Sequence, residues 1–161
     1  MISKAIILIT TIASCFCKAM LGSSRAEAEY YVTAYAKQYH VPLEFVRAIV
    51  EQESGWRECA VSSAGAVGLM RLMPDTARRL GVQNRCDISQ NISGGVRYLA
   101  WLMNKFHGDL RLVSAAYYAG ERIIAQCRLR CSNPEVLRYV LQIRDRFDRY
   151  INPRVIHRRT R

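Results

Sequence analysis

The sequence predicts one mainly α-helical domain, on three observations. The chain has 161 residues and half of them are apolar, enough to bury a core of its own. Apolar residues recur at steps of three and four, and no run alternates with the period of two that marks a strand. Prolines suited to a first helical turn and glycines suited to a helix end punctuate these stretches.

The first 26 residues read as a leader ahead of the domain. Lys4 supplies a short positive region, and the apolar run AIILITTIASCFC (Ala5 to Cys17) is too short to span a bilayer. Ser24-Arg25-Ala26 and Cys17-Lys18-Ala19 both offer small-x-small cutting sites. Ile12-Ala13-Ser14-Cys15 also resembles a bacterial lipobox, which would make Cys15 a lipidated N-terminus. The expectation is export to the periplasm with a domain over 27–161, and membrane attachment only if Cys15 carries lipid.

A first helix is expected from Ala26 to Tyr39, and a second from Pro42 to Gly55. Pro74 opens a short helix that ends near Gly81. Asn91 reads as the N-cap of a helix through Phe106, with Val96, Leu99 and Met103 facing inward. Further helices are expected from Leu110 to Ala119 and from Asn133-Pro134 towards Asp148. No repeat, low-complexity tract or linker interrupts the series.

The formal charge is +11, and loss of Lys4, Lys18 and Arg25 with the leader would leave about +8. Such a charge suits an anionic polymer surface. No nucleic-acid-binding motif accompanies it, and the arginines at 154, 158, 159 and 161 read as a solvated tail. After the leader, Cys59, Cys86, Cys127 and Cys131 remain. An even count in an exported chain predicts disulfides, here Cys59 with Cys86 and Cys127 with Cys131, from three possible pairings. Their spacing offers no second CxxC-like pair or nearby His, so no metal or other cofactor is expected.

The stretch IVEQESGWRE, residues 49–58, holds three glutamates. Phe45, Val46, Ile49 and Val50 form the apolar stripe of the second helix, and steps of three and four carry it onto Glu53. Glu51 falls on the opposite side with Glu44 and Arg47, as a solvated charge row. Glu58 belongs to the following loop. A carboxyl at the end of a buried stripe, in the last turn of a helix, has its pKa raised by burial and by the helix dipole. That is the tuning of a general acid, although a carboxyl there could equally cap a loop amide or pair with an arginine. In the next segment Gly65 and Gly68 are expected to allow close approach of backbone to something packed beside it.

Four ordered segments carry a resemblance. ESGWRECAVSSAGAVGLMRLMPDTARRLG (Glu53 to Gly81), NISGGVRYLAWL (Asn91 to Leu102), AAYYAG (Ala115 to Gly120) and PEVLRYV (Pro134 to Val140) resemble the motifs of the soluble lytic transglycosylase (SLT) family. They span about residues 40 to 142. The resemblance implies a lysozyme-like fold with a catalytic groove and assigns Glu53 as catalytic acid and base. It places Ser54, the Gly68-Leu69-Met70 backbone wall, Tyr117, Glu135 and Tyr139 in the sugar cleft. Helical spacing separately sets Glu135 and Tyr139 four apart on one face. Arg71 and Tyr118 stand where the family usually has Gln and Asn, and Ser63, Glu121 and Val136 are lesser departures. Arg71 could hold an anionic stem peptide or lactyl ether, or pair with Glu53 and lower its pKa.

The resemblance implies cleavage of the bond between N-acetylmuramic acid (MurNAc) and N-acetylglucosamine (GlcNAc) in peptidoglycan, with a 1,6-anhydro product. A hydrolytic muramidase and a weakly active wall-binding module are the alternative readings. Small members of this family open local wall gaps for secretion or conjugation machines, so such a machine is the expected partner besides the glycan strands.

Overall fold

The computed structural model describes residues 24–131 and 133–153, without the side chains of Cys127 and Cys131. The leader through residue 23, Cys15 with it, and the expected Cys127–Cys131 pair therefore lie outside the described residues. The chain order is α1 (residues 24–38), α2 (Leu43–Ser54), α3 (Pro74–Arg79), α4 (Ile88–Lys105), α5 (Leu110–Ala119), α6 (Glu121–Cys127), a 3-10 turn (Arg128–Cys131) and α7 (Pro134–Ile151). Among the described residues there is no strand, only isolated bridges Val61–Val67 and Val67–Leu72. None of the described helices is long and apolar enough to cross a membrane. The mainly α expectation holds.

The apolar stripes determine the packing. Ala28, Val32 and Ala36 bury one face of α1, while Phe45, Val46, Ile49 and Val50 bury that of α2. On α4, Ile92, Val96, Leu99 and Leu102 are wholly buried, together with Val113, Ala115 and Ala116 of α5. Each fully buried aliphatic or aromatic side chain contributes about 1.5–3 kcal/mol relative to exposure. α7 lies against both α2 and α5, and its Val136, Tyr139, Val140 and Ile143 close the core. α2 stops at Gly55, whose φ of 56° is left-handed and whose N–H donates to the Glu51 carbonyl at 3.0 Å.

Three expectations are corrected. Asn91 is not an N-cap: α4 begins at Ile88 and is capped by Asp87, whose carboxylate accepts from the Gln90 N–H at 2.8 Å. Gly65 makes no close approach, since a Cβ there would meet nothing, and only its φ of 82° calls for glycine. Gly68 does make one: a Cβ would collide with the Asn91 side chain and the Arg85 carbonyl. The charge row on α2 is not merely solvated either. Arg47 pairs with Glu29 of α1 at 2.9 Å, and Glu51 accepts from Arg149 at 2.8 Å and Tyr150 at 2.7 Å. These polar links join α2 to α1 and α7. Sequence reading also missed α6, whose seven residues are too few for a clear period.

Candidate active site

Glu53 sits in the last turn of α2, partly buried. Tyr139 of α7, itself 5 % exposed, donates its hydroxyl to Glu53 Oε1 at 2.5 Å. Burial pushes the Glu53 carboxyl above its ordinary pKa, while the Tyr139 hydrogen bond and the positive charge of Arg71 hold that rise back. Burial and the nearby Glu53 in turn push the Tyr139 and Tyr117 phenols well above the usual range, so both stay protonated donors. Among the described residues, the groups acting on Glu53 are a phenol and a guanidinium, and neither is a second carboxylate.

The wall opposite is the segment Gly68 to Arg71. Asn91, entirely buried in α4, holds it from behind. Its Oδ1 accepts from the Met70 N–H at 2.8 Å, and its Nδ2 donates to the carbonyls of Val67 at 3.0 Å and Arg85 at 2.8 Å. Gly95 lets the Met70 side chain pack onto α4, because a Cβ there would lie 2.9 Å from Met70 Cβ. From α5, Tyr117 donates to the Met70 carbonyl at 2.7 Å. Cys59 and Cys86 are disulfide-bonded, as expected, and tie the loop after α2 to the start of α4.

The expected site residues divide into two groups. Glu53, Arg71, Tyr117, Tyr139 and the Gly68-Leu69-Met70 backbone come together at one place. Leu69 and Met70 bury their own side chains and offer backbone only. Ser54 does not face the groove: it is 1 % exposed, and its hydroxyl bonds the Val50 carbonyl and the Trp56 N–H, both at 3.0 Å. That use as a helix-end cap replaces the expected sugar contact. Glu135 is exposed in the first turn of α7 and forms no hydrogen bond or ion pair among the described residues. Arg71 adopts a φ of 45°, and its Nε is buried without an acceptor among the described residues. Tyr118 is half exposed and stacks on Tyr139, ring centroids 4.7 Å apart. No cluster of three or more His, Cys, Asp or Glu side chains able to hold a metal forms among the described residues.

Sequence reading missed Asn91's true part, although a signal was present. Steps of three and four from Ile88 through Ile92 and Gly95 put position 91 on the buried stripe, where an amide needs partners. It also missed Tyr98, whose ring meets Tyr117 at 5.6 Å and Trp101 at 5.9 Å.

Residues 30–133 match the model of the Transglycosylase SLT domain. The chain belongs to that family. Among curated relatives, membrane-bound lytic murein transglycosylase F of Pseudomonas fluorescens is 36% identical over 91 residues, 56% of this chain and 19% of that protein. The transglycosylase of enterobacteria phage PRD1 is 38% identical over 89 residues, 55% of this chain and 33% of the phage protein. This chain thus matches only a fifth to a third of these relatives' length. In structure it is similar to the lytic transglycosylase Slt of Pseudomonas aeruginosa, solved as an inactive glutamate-to-glutamine mutant. That match has a TM-score of 0.65 and 27% identity, and covers 76% of this chain and 24% of that one. The 70 kDa soluble lytic transglycosylase of Escherichia coli shares the fold, with a TM-score of 0.66 at 24% identity over 75% of this chain and 24% of that one. The lysozyme-like helical architecture implied by the motifs is the one observed.

Proposed function

We propose that this SLT domain cleaves the β-1,4 bond between MurNAc and GlcNAc of peptidoglycan by transglycosylation, with Glu53 as acid and then base. The observation that carries this is Glu53 itself. It is a carboxyl with raised pKa, held by Tyr139 and Arg71 beside a backbone wall, and among the described residues no second carboxylate acts on it. Protonated Glu53 gives its proton to the glycosidic oxygen as the C1–O bond breaks, and GlcNAc leaves with a free 4-hydroxyl. The acetamido group of MurNAc supports the positive charge at C1. The Glu53 carboxylate then takes the proton of the MurNAc C6 hydroxyl as O6 bonds to C1, which closes the 1,6-anhydro ring and restores the acid.

Two-carboxylate glycosidases use their second acid as nucleophile or as base for water. Here the substrate supplies the nucleophile, so one carboxyl suffices. Tyr139 orients Glu53, and Tyr117 fixes the Met70 carbonyl in the wall. The buried Arg71 Nε is a donor that a substrate oxygen would satisfy. The names of the relatives, murein transglycosylases among them, support the substrate class. The leader-like N-terminus and basic charge support work in the periplasm, where opening wall gaps for a secretion or conjugation machine is the proposed use.

The test is release of muropeptides from purified sacculi. Glu53→Gln should reduce it by at least about a thousandfold, since proton transfer and the groups acting with it lose their carrier. Glu51→Gln, which loosens only the α2–α7 link, should keep near wild-type release. A Glu53→Gln protein that digests sacculi at close to the wild-type rate would remove Glu53 from the chemistry.

A further inference from the structure

The last turn of α5 presents two tyrosines in succession. Neighbouring residues on a helix point about 100° apart, and here they serve different partners. Tyr117 turns to the wall and donates to the Met70 carbonyl. Tyr118 turns to α7 and lays its ring on Tyr139, centroids 4.7 Å apart with 28° between the planes. Tyr139 is the side chain that donates to Glu53. A continuous line of contacts thus runs from Tyr118 through Tyr139 to the carboxyl.

Tyr118 is 48 % exposed, so its ring adds little to the core. Its hydroxyl forms no hydrogen bond among the described residues, and the ring it stacks on there is that of Tyr139. The hydroxyl of a tyrosine lies at the far end of a side chain whose ring torsion is broad. A small swing of the ring therefore carries the oxygen out of hydrogen-bond reach, and a second ring stacked on the first restricts that swing. Where the family usually has Asn at this position, a carboxamide offers no ring to stack, so the clamp is a feature of this chain.

We propose that Tyr118 is a positioning residue: its ring clamps Tyr139 so that the Tyr139 hydroxyl stays aimed at Glu53 Oε1. This rests on the reading of Glu53 as acid and base, but concerns a residue that acts on the carboxyl only through another. Around the pair, Tyr139 of α7 and Arg71 of the wall act on Glu53, while Glu53, Tyr117 and Tyr118 act on Tyr139. The Tyr139 hydrogen bond favours the ionised carboxyl. Loosening it therefore raises the pH at which Glu53 titrates.

Two measurements test this. The first follows the Glu53 side-chain carboxyl by NMR as pH is changed, in protein carrying isotope-labelled glutamate, with Glu53→Gln identifying the signal. Tyr118→Ala should move the Glu53 midpoint to higher pH, the direction that Tyr139→Phe takes, and Tyr118→Phe should leave it in place. A midpoint unmoved in Tyr118→Ala, or moved to lower pH, would overturn the proposal. The second measurement compares kcat and KM for muropeptide release. Tyr118→Ala should lower kcat about tenfold with KM nearly unchanged, and Tyr118→Phe should restore it. In a Tyr139→Phe background the same alanine substitution should change kcat by less than about twofold, because the hydroxyl it positions is gone. An unchanged kcat in Tyr118→Ala, or effects that multiply independently in the double variant, would also overturn it. Should wild type release nothing while Tyr118→Ala still moves the Glu53 midpoint upward, the cleavage reading fails and the positioning role stands.

Discussion

Replacing Asn91 with alanine isolates the support behind the candidate site. Asn91 is fully buried, and its amide makes three hydrogen bonds to backbone groups of three different residues, Val67, Met70 and Arg85. A buried hydrogen bond contributes about 0.5–1.5 kcal/mol net, and a partner left dry costs about 1–3 kcal/mol. Three such bonds set the loss at about 3 kcal/mol at least, a large share of the roughly 5–15 kcal/mol of a typical domain. The loss falls on the wall, because the Met70 N–H and the Val67 carbonyl belong to the segment that presents Met70 to Tyr117. Urea unfolding followed by circular dichroism gives the stability change, and sacculus digestion gives the activity. Asn91→Ala should lower stability by about 3 kcal/mol and depress kcat below what the remaining folded fraction explains. A loss under about 1 kcal/mol with full activity would refute the view that this amide holds the wall.

Other outcomes follow from the same geometry. Arg71→Gln removes a positive charge that favours the ionised Glu53 carboxyl, so its pKa should rise further and the alkaline fall of kcat should move to higher pH. A fall that moves to lower pH in a pH–rate profile would contradict that sign. Because the folded-state pKa of Glu53 is raised, its stability contribution is present below the ordinary value of 4.5 and is lost as pH rises through the raised value. Glu53→Gln should therefore be more stable relative to wild type at pH 8 than at pH 4 in thermal melts. Replacing Cys59 and Cys86 together by serine opens a loop of sequence separation 27 and should lower stability by about 3 kcal/mol, read from the shift in denaturation midpoint.

Much of this was legible in the sequence because helical phase and stripe position are local properties. The step from Ile49 and Val50 to Glu53 pointed to a half-buried carboxyl, and the structure shows it half-buried. The motifs brought Tyr117, Tyr139 and Arg71 to the same place. Spacing alone could not show that Tyr139, 86 residues away, donates to Glu53, because that contact depends on how α7 crosses α2. Ser54 illustrates the opposite error. Its motif position suggested sugar, yet at a helix end the nearest unsatisfied group is backbone, and the hydroxyl turns to it. Glu51 looked solvated because its partners, Arg149 and Tyr150, lie almost a hundred residues on.

The most direct test of the central claim is the mass of the product. Sacculi digested by the wild-type protein should release disaccharide-peptides lighter by one water than hydrolytic products, and borohydride should leave them unreduced. That result requires ring closure by the C6 hydroxyl of the substrate. Muramic acid ends that borohydride reduces, as the main product, would show that water attacks C1 and that the domain is a muramidase.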